Sequence, residues 1–290
     1  MGLKEIYLKN YKKLLIIPIV MFILSFIIII NTFHETGDIV HKDITLKGGV
    51  SATVYTKEPK EDIENFLASR LEGEFFVRRL TEFGSNEQIG IIVEATDIDA
   101  ATITKLLEEK LNIELTEENF SIEETGPTLG ESFYKQILNS IIFAFIFMAI
   151  VVFITFRNII PSIAVILTAF FDILVTIAVI DFLGISVSAA SIASILLLIG
   201  YSIDTDILLT TKALKRKDLE VNERLFSSVK TGLTMTGTTI AALVVGYFIS
   251  NSIVIQKIFF IIIIGLIADL ISTWIMNLGI LKIYLDKKHG

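Results

Sequence analysis

Long apolar runs divide the chain into segments that match the thickness of a lipid bilayer. A membrane-spanning helix needs about 20 predominantly apolar residues. Six stretches meet this requirement, at residues 14–33, 136–156, 160–182, 189–211, 229–250 and 258–281. The pattern therefore predicts a multi-pass α-helical membrane protein with six transmembrane helices.

The interval between the first two spans, 34–134, carries two other hydrophobic periods. Alternation with a period of two predicts strands in "ITLKGGVSATVYT", "FFVRRLTEF", "QIGIIVEAT" and "NFSIEETG". A period of three to four predicts helices in "KEDIENFLASRLEG" and "DAATITKLLEEKLN". We expect a turn at Gly84, Ser85 and Asn86, and Asp97 or Asp99 near the start of the second helix. The order β-α-β-β-α-β predicts an α+β ferredoxin-like domain.

Charge is divided between this domain and the remainder of the chain. Residues 34–134 hold 22 Asp or Glu against 9 Lys or Arg, whereas the remainder holds 10 against 16. Basic residues mark the cytoplasmic side of a membrane protein, and here they flank the first and last spans and fill the connection 212–228. We therefore expect both termini in the cytoplasm, residues 34–134 outside the cell, and the chain in the cytoplasmic membrane. The expected divisions are a tail 1–13, the first span 14–33, the outer domain 34–134, the bundle 135–284 and a tail 285–290.

Composition argues against several classes of function. The sequence has no cysteine, and its three histidines show no metal-ligand spacing. A nucleic-acid partner is not expected, because no basic stripe accompanies a soluble fold. We find no Walker motif, no nucleophile–base set and no catalytic pair in the acidic domain, so we expect no enzyme and no cofactor.

Ionisable residues inside the spans are the main functional signal. Asp172, Asp204, Asp206 and Asp269 lie within apolar segments, and Lys230 opens the fifth span. An Asp at the bilayer centre costs about 2.5–3.5 kcal/mol on insertion scales, so such residues face a bundle interior or a partner. We interpret these five residues as ion- or proton-relay candidates. The alternative is that the aspartates only join helices by hydrogen bonds to hydroxyls.

Helix geometry separates the two acids of the fourth span. Asp204 and Asp206 are two residues apart, so they point about 200° from one another. We expect Asp204 to face the bundle centre and Asp206 to lie toward the cytoplasmic side. Small and hydroxyl residues are candidates for packing around them, namely Thr205, Thr231, Thr234, Thr238, Gly200 and Gly232.

Two glycine-containing segments border the outer domain. Gly48 and Gly49 interrupt a predicted strand, which indicates a bulge or a close backbone approach. Gly126, Pro127 and Gly130 lie in the expected linker into the second span. We expect this domain–membrane motif to pack the base of the domain against the spans.

Five segments resemble motifs of the SecD/SecF family of the RND superfamily, in its archaeal SecF type. They are "DITLKGG" (43–49), "TGPTLGESF" (125–133), "FDILVTIAV" (171–179), "IGYSIDTDILL" (199–209) and "VKTGLTMTGTT" (229–239). In bacterial members the fourth-span motif reads Asn-Asp-Thr where this chain has Asp204-Thr205-Asp206. The family's acid thus falls on Thr205, and its fifth-span Arg falls on Lys230.

The resemblance implies a fold and a function. The fold would be one RND-type half, with an extracytoplasmic ferredoxin-like domain after the first span. The function would be that of an accessory subunit of the Sec export machinery, with SecD, the Sec translocon channel, preprotein substrates and membrane lipids as partners and with coupling to an ion gradient. The alternative is a homodimeric RND-type exporter of small molecules or lipids, since such exporters carry two six-span halves.

Overall fold

The computed structural model describes residues 3–71, 73, 75–81, 87–96, 98–116, 118–215, 220–250 and 252–289. The predicted turn at Gly84, Ser85 and Asn86 lies outside these residues, as does Asp97. Asp99 caps the second helix of the outer domain, where its carboxylate accepts from the backbone N–H of Thr102. Such a cap satisfies one of the free N–H groups at a helix start.

Helices account for most of the described chain. Those on the membrane side are α1 (Leu3–Leu14), α2 (Ile16–Thr36), α6 (Pro127–Phe156), α7 (Ile159–Phe182), α8 (Ala189–Lys215), α9 (Val221–Ile249), α10 (Ile253–Ile271) and α11 (Leu278–His289). A π-helical turn, Ser272–Asn277, joins α10 to α11. Among the described residues, six helices are long and apolar enough to cross a membrane, which confirms the predicted number.

The outer domain has the predicted ferredoxin-like topology. Its elements are α3 (Ile44–Lys47), β1 (Gly49–Val54), α4 (Lys60–Ala68), β2 (Phe75–Thr81), β3 (Gln88–Ala95), α5 (Ala100–Leu111) and β4 (Phe120–Thr125). The strands form one antiparallel sheet in the order β2-β3-β1-β4. One face packs on α4 and α5 through Ile63, Leu67, Ile103 and Leu107, all fully buried. The apolar faces of the strands and of the two helices therefore form one hydrophobic core.

Three sequence expectations at the borders of elements are wrong. The first strand begins at Gly49, because residues 44–47 form the short helix α3. Residues 127–132 are not a linker, since α6 begins at Pro127, a residue whose fixed φ suits a first helical position. The connection 212–228 is shorter than expected, because α8 and α9 extend into it from both sides.

Glycines allow the base of the domain to approach the bundle. A Cβ on Gly49, whose φ is +141°, would lie 2.3 Å from the carbonyl oxygen of Ala95. A Cβ on Gly130, in α6, would lie 2.8 Å from the backbone nitrogen of Gly48. The first contact is inside the sheet, and the second joins the domain to the bundle. Gly49 and Gly130 thus allow close backbone packing, whereas a Cβ on Gly126 would have no neighbouring atom within 4 Å.

Backbone bonds also attach the domain to the connection between α7 and α8. The segment after α2 forms a bridge between Lys42 and Val187, and the N–H of Val187 donates to the carbonyl of His41. Asp181, near the end of α7, accepts from the backbone N–H of His41, and the same carboxylate oxygen lies 3.0 Å from the ring Nδ1 of His41.

A second polar contact lies beside this attachment. Arg78 of β2 donates to Glu94 of β3 at 2.7 Å and to Ser186 at 2.8 Å. Burial raises the pKa of the Glu94 carboxyl, although the Arg78 guanidinium acts in the opposite direction. The position of β2 relative to the bundle therefore depends on a partly buried ion pair.

Candidate functional site

The membrane bundle has an inner and an outer group of helices. Half to two thirds of the apolar windows in α7, α8 and the helix containing α10 are buried, against 11% in the other three spans. Asp172, Asp206 and Asp269 lie on these three inner helices and are almost completely buried. Together they form what we call the inner carboxyl cluster.

Asp206 contacts side chains of α7 and of the π-helical turn. Its Oδ1 accepts from Asn277 Nδ2 at 2.7 Å and lies 3.0 Å from the Thr273 hydroxyl. Its Oδ2 contacts the hydroxyl of Thr168 on α7. The carboxyl of α8 is thus held between α7 and the π-helical turn.

Asp269 lies on the other side of the same threonine. Its Oδ1 is 3.0 Å from the Thr273 hydroxyl, and both its oxygens are 3.2 Å from the hydroxyl of Thr205. Asp172 completes the cluster, since its Oδ2 accepts from Ser202 at 2.5 Å. Ser202 also neighbours the Asp269 carboxyl, and Ser272 neighbours that of Asp172. Hydroxyls therefore separate the three carboxyls from one another.

The π-helical turn supplies both Thr273 and Asn277 to Asp206. Single π turns inside α-helices are rare overall, and those that occur are often found at functional sites. The same turn carries Trp274, which packs against Gly232 of α9 so closely that a Cβ on the glycine would lie 2.1 Å from the indole ring. The absence of a side chain at Gly232 thus allows Trp274 to pack against α9.

Positive charge is absent from the surroundings of the cluster in the described part of the chain. No salt bridge there joins Asp172, Asp206 or Asp269 to Lys, Arg or His. The described residues also include no group of three or more His, Cys, Asp or Glu side chains arranged to hold a metal ion. Three buried ionised carboxylates without a counter-ion would be very unfavourable. The arrangement is therefore suited to holding protons.

The prediction that Asp204 faces the bundle centre and Asp206 the cytoplasmic side is wrong. Asp206 faces the bundle centre and is completely buried, whereas Asp204 is exposed. The two acids do lie on different faces of α8, but their spacing does not specify which acid points inward. Contacts of α8 with α7 and α10 determine this rotation, and Thr205, next to Asp206, contacts Asp269.

The remaining candidates of the fourth and fifth spans lie on the outside of the bundle. Together with the exposed residues Tyr201 and Gly237, they form what we call the polar outer face, namely Gly200, Tyr201, Asp204, Lys230, Thr231, Thr234, Gly237 and Thr238. Thr231 accepts from Lys212 at 2.9 Å, whereas Thr234 and Thr238 donate to carbonyls of their own helix. Lys230 makes no salt bridge to a carboxylate of the described residues. The structure therefore separates these candidates from the inner carboxyl cluster.

Sequence reasoning missed Thr168, Ser202, Thr273 and Asn277. A signal for two of them was present, since Thr273 and Asn277 follow Asp269 at intervals of four residues in an otherwise apolar span. That spacing places polar side chains along one face of a helix. Thr168 and Ser202 lack such a signal, because isolated hydroxyls in a span commonly bond to their own backbone.

Comparisons with known proteins agree with this architecture. The family model described as "Protein export membrane protein SecD/SecF, C-terminal" matches residues 105–287. The protein-export membrane protein SecF of Pyrococcus furiosus is 37% identical, over 96% of this chain and 93% of its own length. SecF of Methanocaldococcus jannaschii is 38% identical, over 97% of this chain and 98% of its own length.

A solved structure has the same fold. SecDF from Thermus thermophilus, described as a translocon-associated membrane protein, superposes with a TM-score of 0.75 and 16% identity. The match covers 99% of this chain but 40% of that protein, so this chain corresponds in fold to less than half of it. With identities above 35% over nearly its whole length, this chain belongs to the SecD/SecF family of protein-export membrane proteins.

Proposed function

We propose that the chain is a SecF-type accessory subunit of the Sec protein-export machinery. It would act with a SecD-type partner to promote movement of preproteins across the cytoplasmic membrane, or their release from it, and the proposal includes no enzymatic step. The observation that carries this proposal is the match, over nearly the full chain, to proteins named SecF. The solved SecDF chain, of which our chain matches 40%, supports a second subunit here.

The polar outer face supports the existence of such a partner. An exposed Asp204 carboxyl inside a span is costly against lipid. Polar side chains on membrane helices characteristically form interhelical hydrogen bonds. The contact between Lys212 and Thr231 sets the relative level of α8 and α9, and at about 1.5 Å per residue it places Asp204 near the depth of Thr238. We propose that the SecD-type subunit covers this face.

Orientation and domain limits form part of the proposal. Lys12 and Lys13 precede the first span, and Lys287 and Lys288 follow the last, which favours cytoplasmic termini. The outer domain, residues 34–134, would then lie on the extracytoplasmic side, where preproteins emerge from the channel. Ion coupling would act through the inner carboxyl cluster, because its carboxyls lack a counter-ion among the described residues.

Disulfide or thiol-specific crosslinking tests the proposed partner directly, because the chain has no cysteine and each introduced one is unique. Thr234→Cys labels the polar outer face, and Phe147→Cys, on the exposed side of α6, serves as the matched control. We expect the first variant, coexpressed with a SecD-type subunit carrying cysteines in its spans, to crosslink to that subunit. We expect the control to give no such product.

Two results would contradict the proposal. Crosslinking of Thr234→Cys only to a second copy of this chain would favour the homodimeric exporter. Unchanged rates of preprotein export in cells lacking this chain would exclude an accessory role in export. The two measurements are independent, so the partner and the process are tested separately.

A further inference from the structure

A cleft lies between the start of α7 and the last helix, α11. Its volume is about 540 Å³. It is lined by Ile160, Ile280, Ile283, Tyr284, Lys287 and Lys288. Three isoleucines thus form an apolar wall, and two lysines lie together at the end of the cleft nearest the C-terminus of α11. We call these two parts the apolar wall and the cationic end.

The cleft uses the face of α11 that the bundle leaves uncovered. The other face of this helix is buried through Leu278, Leu281 and Leu285. The cleft residues of α11 recur at intervals of three or four, which places them along one side of the helix. From Ile280 to Lys288 this side rises about 12 Å, at 1.5 Å per residue. That rise is sufficient to reach from the hydrocarbon layer to the headgroup layer of a bilayer.

Packing closes the apolar wall toward the middle of the bundle. Ile280 packs against the buried cluster that contains Phe171 and Val175 of α7. Ile160, in the first turn of α7, is 51% exposed and supplies the α7 side of the cleft. A peptide backbone lying along these side chains would leave its polar groups without hydrogen bonds. An acyl chain has no such groups, so the wall is suited to hydrocarbon.

The cationic end is not neutralised by other described residues. Among them, neither Lys287 nor Lys288 has a salt-bridge partner. The adjacent acid, Asp286, pairs with Lys282 at 3.2 Å on the other side of the helix. Lys288 Nζ lies 5.8 Å from the centre of the Tyr284 ring, beside the cleft. An anion at this end could therefore contact two ammonium groups.

Tyr284 lies between the apolar wall and the cationic end. Its hydroxyl makes no hydrogen bond within the part of the chain that the structure describes. Tyrosine is enriched at membrane interfaces, where the ring contacts hydrocarbon and the hydroxyl contacts polar groups. The Tyr284 hydroxyl can donate to a phosphate oxygen, which would add a third donor to the two lysines.

We propose that this cleft binds one anionic phospholipid. An acyl chain lies along Ile160, Ile280 and Ile283. The phosphate lies between Lys287 and Lys288, whose charge complements an anionic headgroup. The site goes beyond the proposed function and takes only the orientation from it. With cytoplasmic termini, α11 ends in the cytoplasmic leaflet, where anionic lipids create a negative surface potential.

Native mass spectrometry of the purified full chain with added phosphatidylglycerol tests the site. Phosphatidylcholine with the same acyl chains is the comparison without net charge, and we expect it to bind more weakly. The double variant Lys287→Gln/Lys288→Gln should bind phosphatidylglycerol about 25-fold more weakly, because each lysine near an anionic headgroup contributes about a fivefold factor. The matched control, Lys12→Gln/Lys13→Gln, should retain the affinity. It removes the same charge from exposed lysines of α1, a helix that contacts α11 at the same end of the bundle.

A second pair of variants tests the apolar wall without a change of charge. Ile160→Trp fills the cleft from the α7 side and should abolish the preference for phosphatidylglycerol. Ile163→Trp, nearly one turn further along α7, places the same side chain outside the cleft and should retain the preference. Both isoleucines are more than half exposed, so we expect both variants to fold, and thermal unfolding checks this.

Four results would overturn the proposal. Equal losses from the two lysine pairs would assign the binding to general surface charge. Equal behaviour of Ile160→Trp and Ile163→Trp would remove the cleft from the site. Full competition by inorganic phosphate would indicate a site for a free anion. Crosslinking of Ile283→Cys to a SecD-type subunit in membranes would show that a protein covers the cleft.

The lipid measurements use the isolated chain and no export assay. A chain without a lipid preference can still act in export, and a chain without a role in export can still bind the lipid. The failure of this site and the failure of the proposed function are therefore distinguishable.

Discussion

Two regions of the same bundle use similar residues in opposite ways. The inner carboxyl cluster and the polar outer face each contain aspartate and threonine, and Asp206 and Asp204 are only two residues apart on α8. Asp206 is fully buried with three donor side chains around it, whereas Asp204 is exposed. The inner region satisfies its polar groups within the chain, and the outer region leaves them available to another molecule.

This difference distinguishes a self-contained site from an incomplete one. Polar groups that are buried among the protein's own donors stabilise one arrangement of helices. Exposed polar groups on a membrane helix lower the free energy only when a second protein covers them. The comparison therefore predicts that substitutions in the inner carboxyl cluster lower the free energy of unfolding of the isolated chain, whereas substitutions of exposed polar residues in the polar outer face change it little.

The largest expected effect is the loss of the buried acceptor. Asp206→Ala leaves Thr168, Thr273 and Asn277 without their shared acceptor, and we expect it to lower the free energy of unfolding by about 2–4 kcal/mol. Asp204→Ala should change it by less than about 0.5 kcal/mol in the isolated chain. Denaturant unfolding in detergent micelles measures both, and equal effects would remove the distinction between the two regions.

A smaller effect is expected from a matched pair of glycines on α9. Gly232→Ala places a methyl group against the indole of Trp274, and overpacking of this kind costs about 1–3 kcal/mol. Gly237 has no neighbouring atom within 4 Å of its Cβ position, so Gly237→Ala should stabilise the isolated chain by about 0.5–1 kcal/mol. Thermal unfolding of the two variants checks the sign of each change. A destabilising Gly237→Ala would show that this part of the polar outer face is already packed.

The smallest effect concerns the same contrast outside the membrane. Glu94 is partly buried beside Arg78, whereas Glu61, which pairs with Arg79 on the next residue of β2, is exposed. Because burial raises the pKa of Glu94 in the folded state, folding binds a proton there. Relative to Glu94→Gln, the chain should gain stability as the pH falls through the folded-state pKa and lose it again as the pH rises through that value.

Hydrogen exchange of the β3 amides at several pH values measures this dependence. The matched control is Glu61→Gln, whose protection should follow the unmodified chain throughout this range, since the carboxyl is exposed. A pH profile of Glu94→Gln identical to that of the unmodified chain would contradict the assignment of Glu94 as the titrating group.

Much of the fold could be predicted because it depends on local patterns. Apolar length specified the six spans, and the two hydrophobic periods specified the order of strands and helices in the outer domain. The borders of elements were less accurate, since residues 127–132 are polar enough to resemble a linker yet belong to α6. A short polar segment carries little information about whether a neighbouring helix continues through it.

The candidate site could be predicted only in part. The cost of an intramembrane acid identified Asp172, Asp204, Asp206 and Asp269 as candidates, but it could not separate Asp206 from Asp204, because this cost depends on residue type and depth alone. The partners Thr168, Ser202, Thr273 and Asn277 were not identified from the sequence. Their role depends on which faces of α7, α8 and the π-helical turn meet.

For this protein, the sequence by itself determined how many helices cross the membrane, which soluble topology separates the first two, and which carboxyls need compensation. Only the tertiary structure decided that Asp206, not Asp204, joins Asp172 and Asp269, and that a π-helical turn carries Thr273 and Asn277 to them. The physical reason is that hydrophobicity depends on position along the chain. The rotation of a helix about its axis, in contrast, is set by its packing against neighbours.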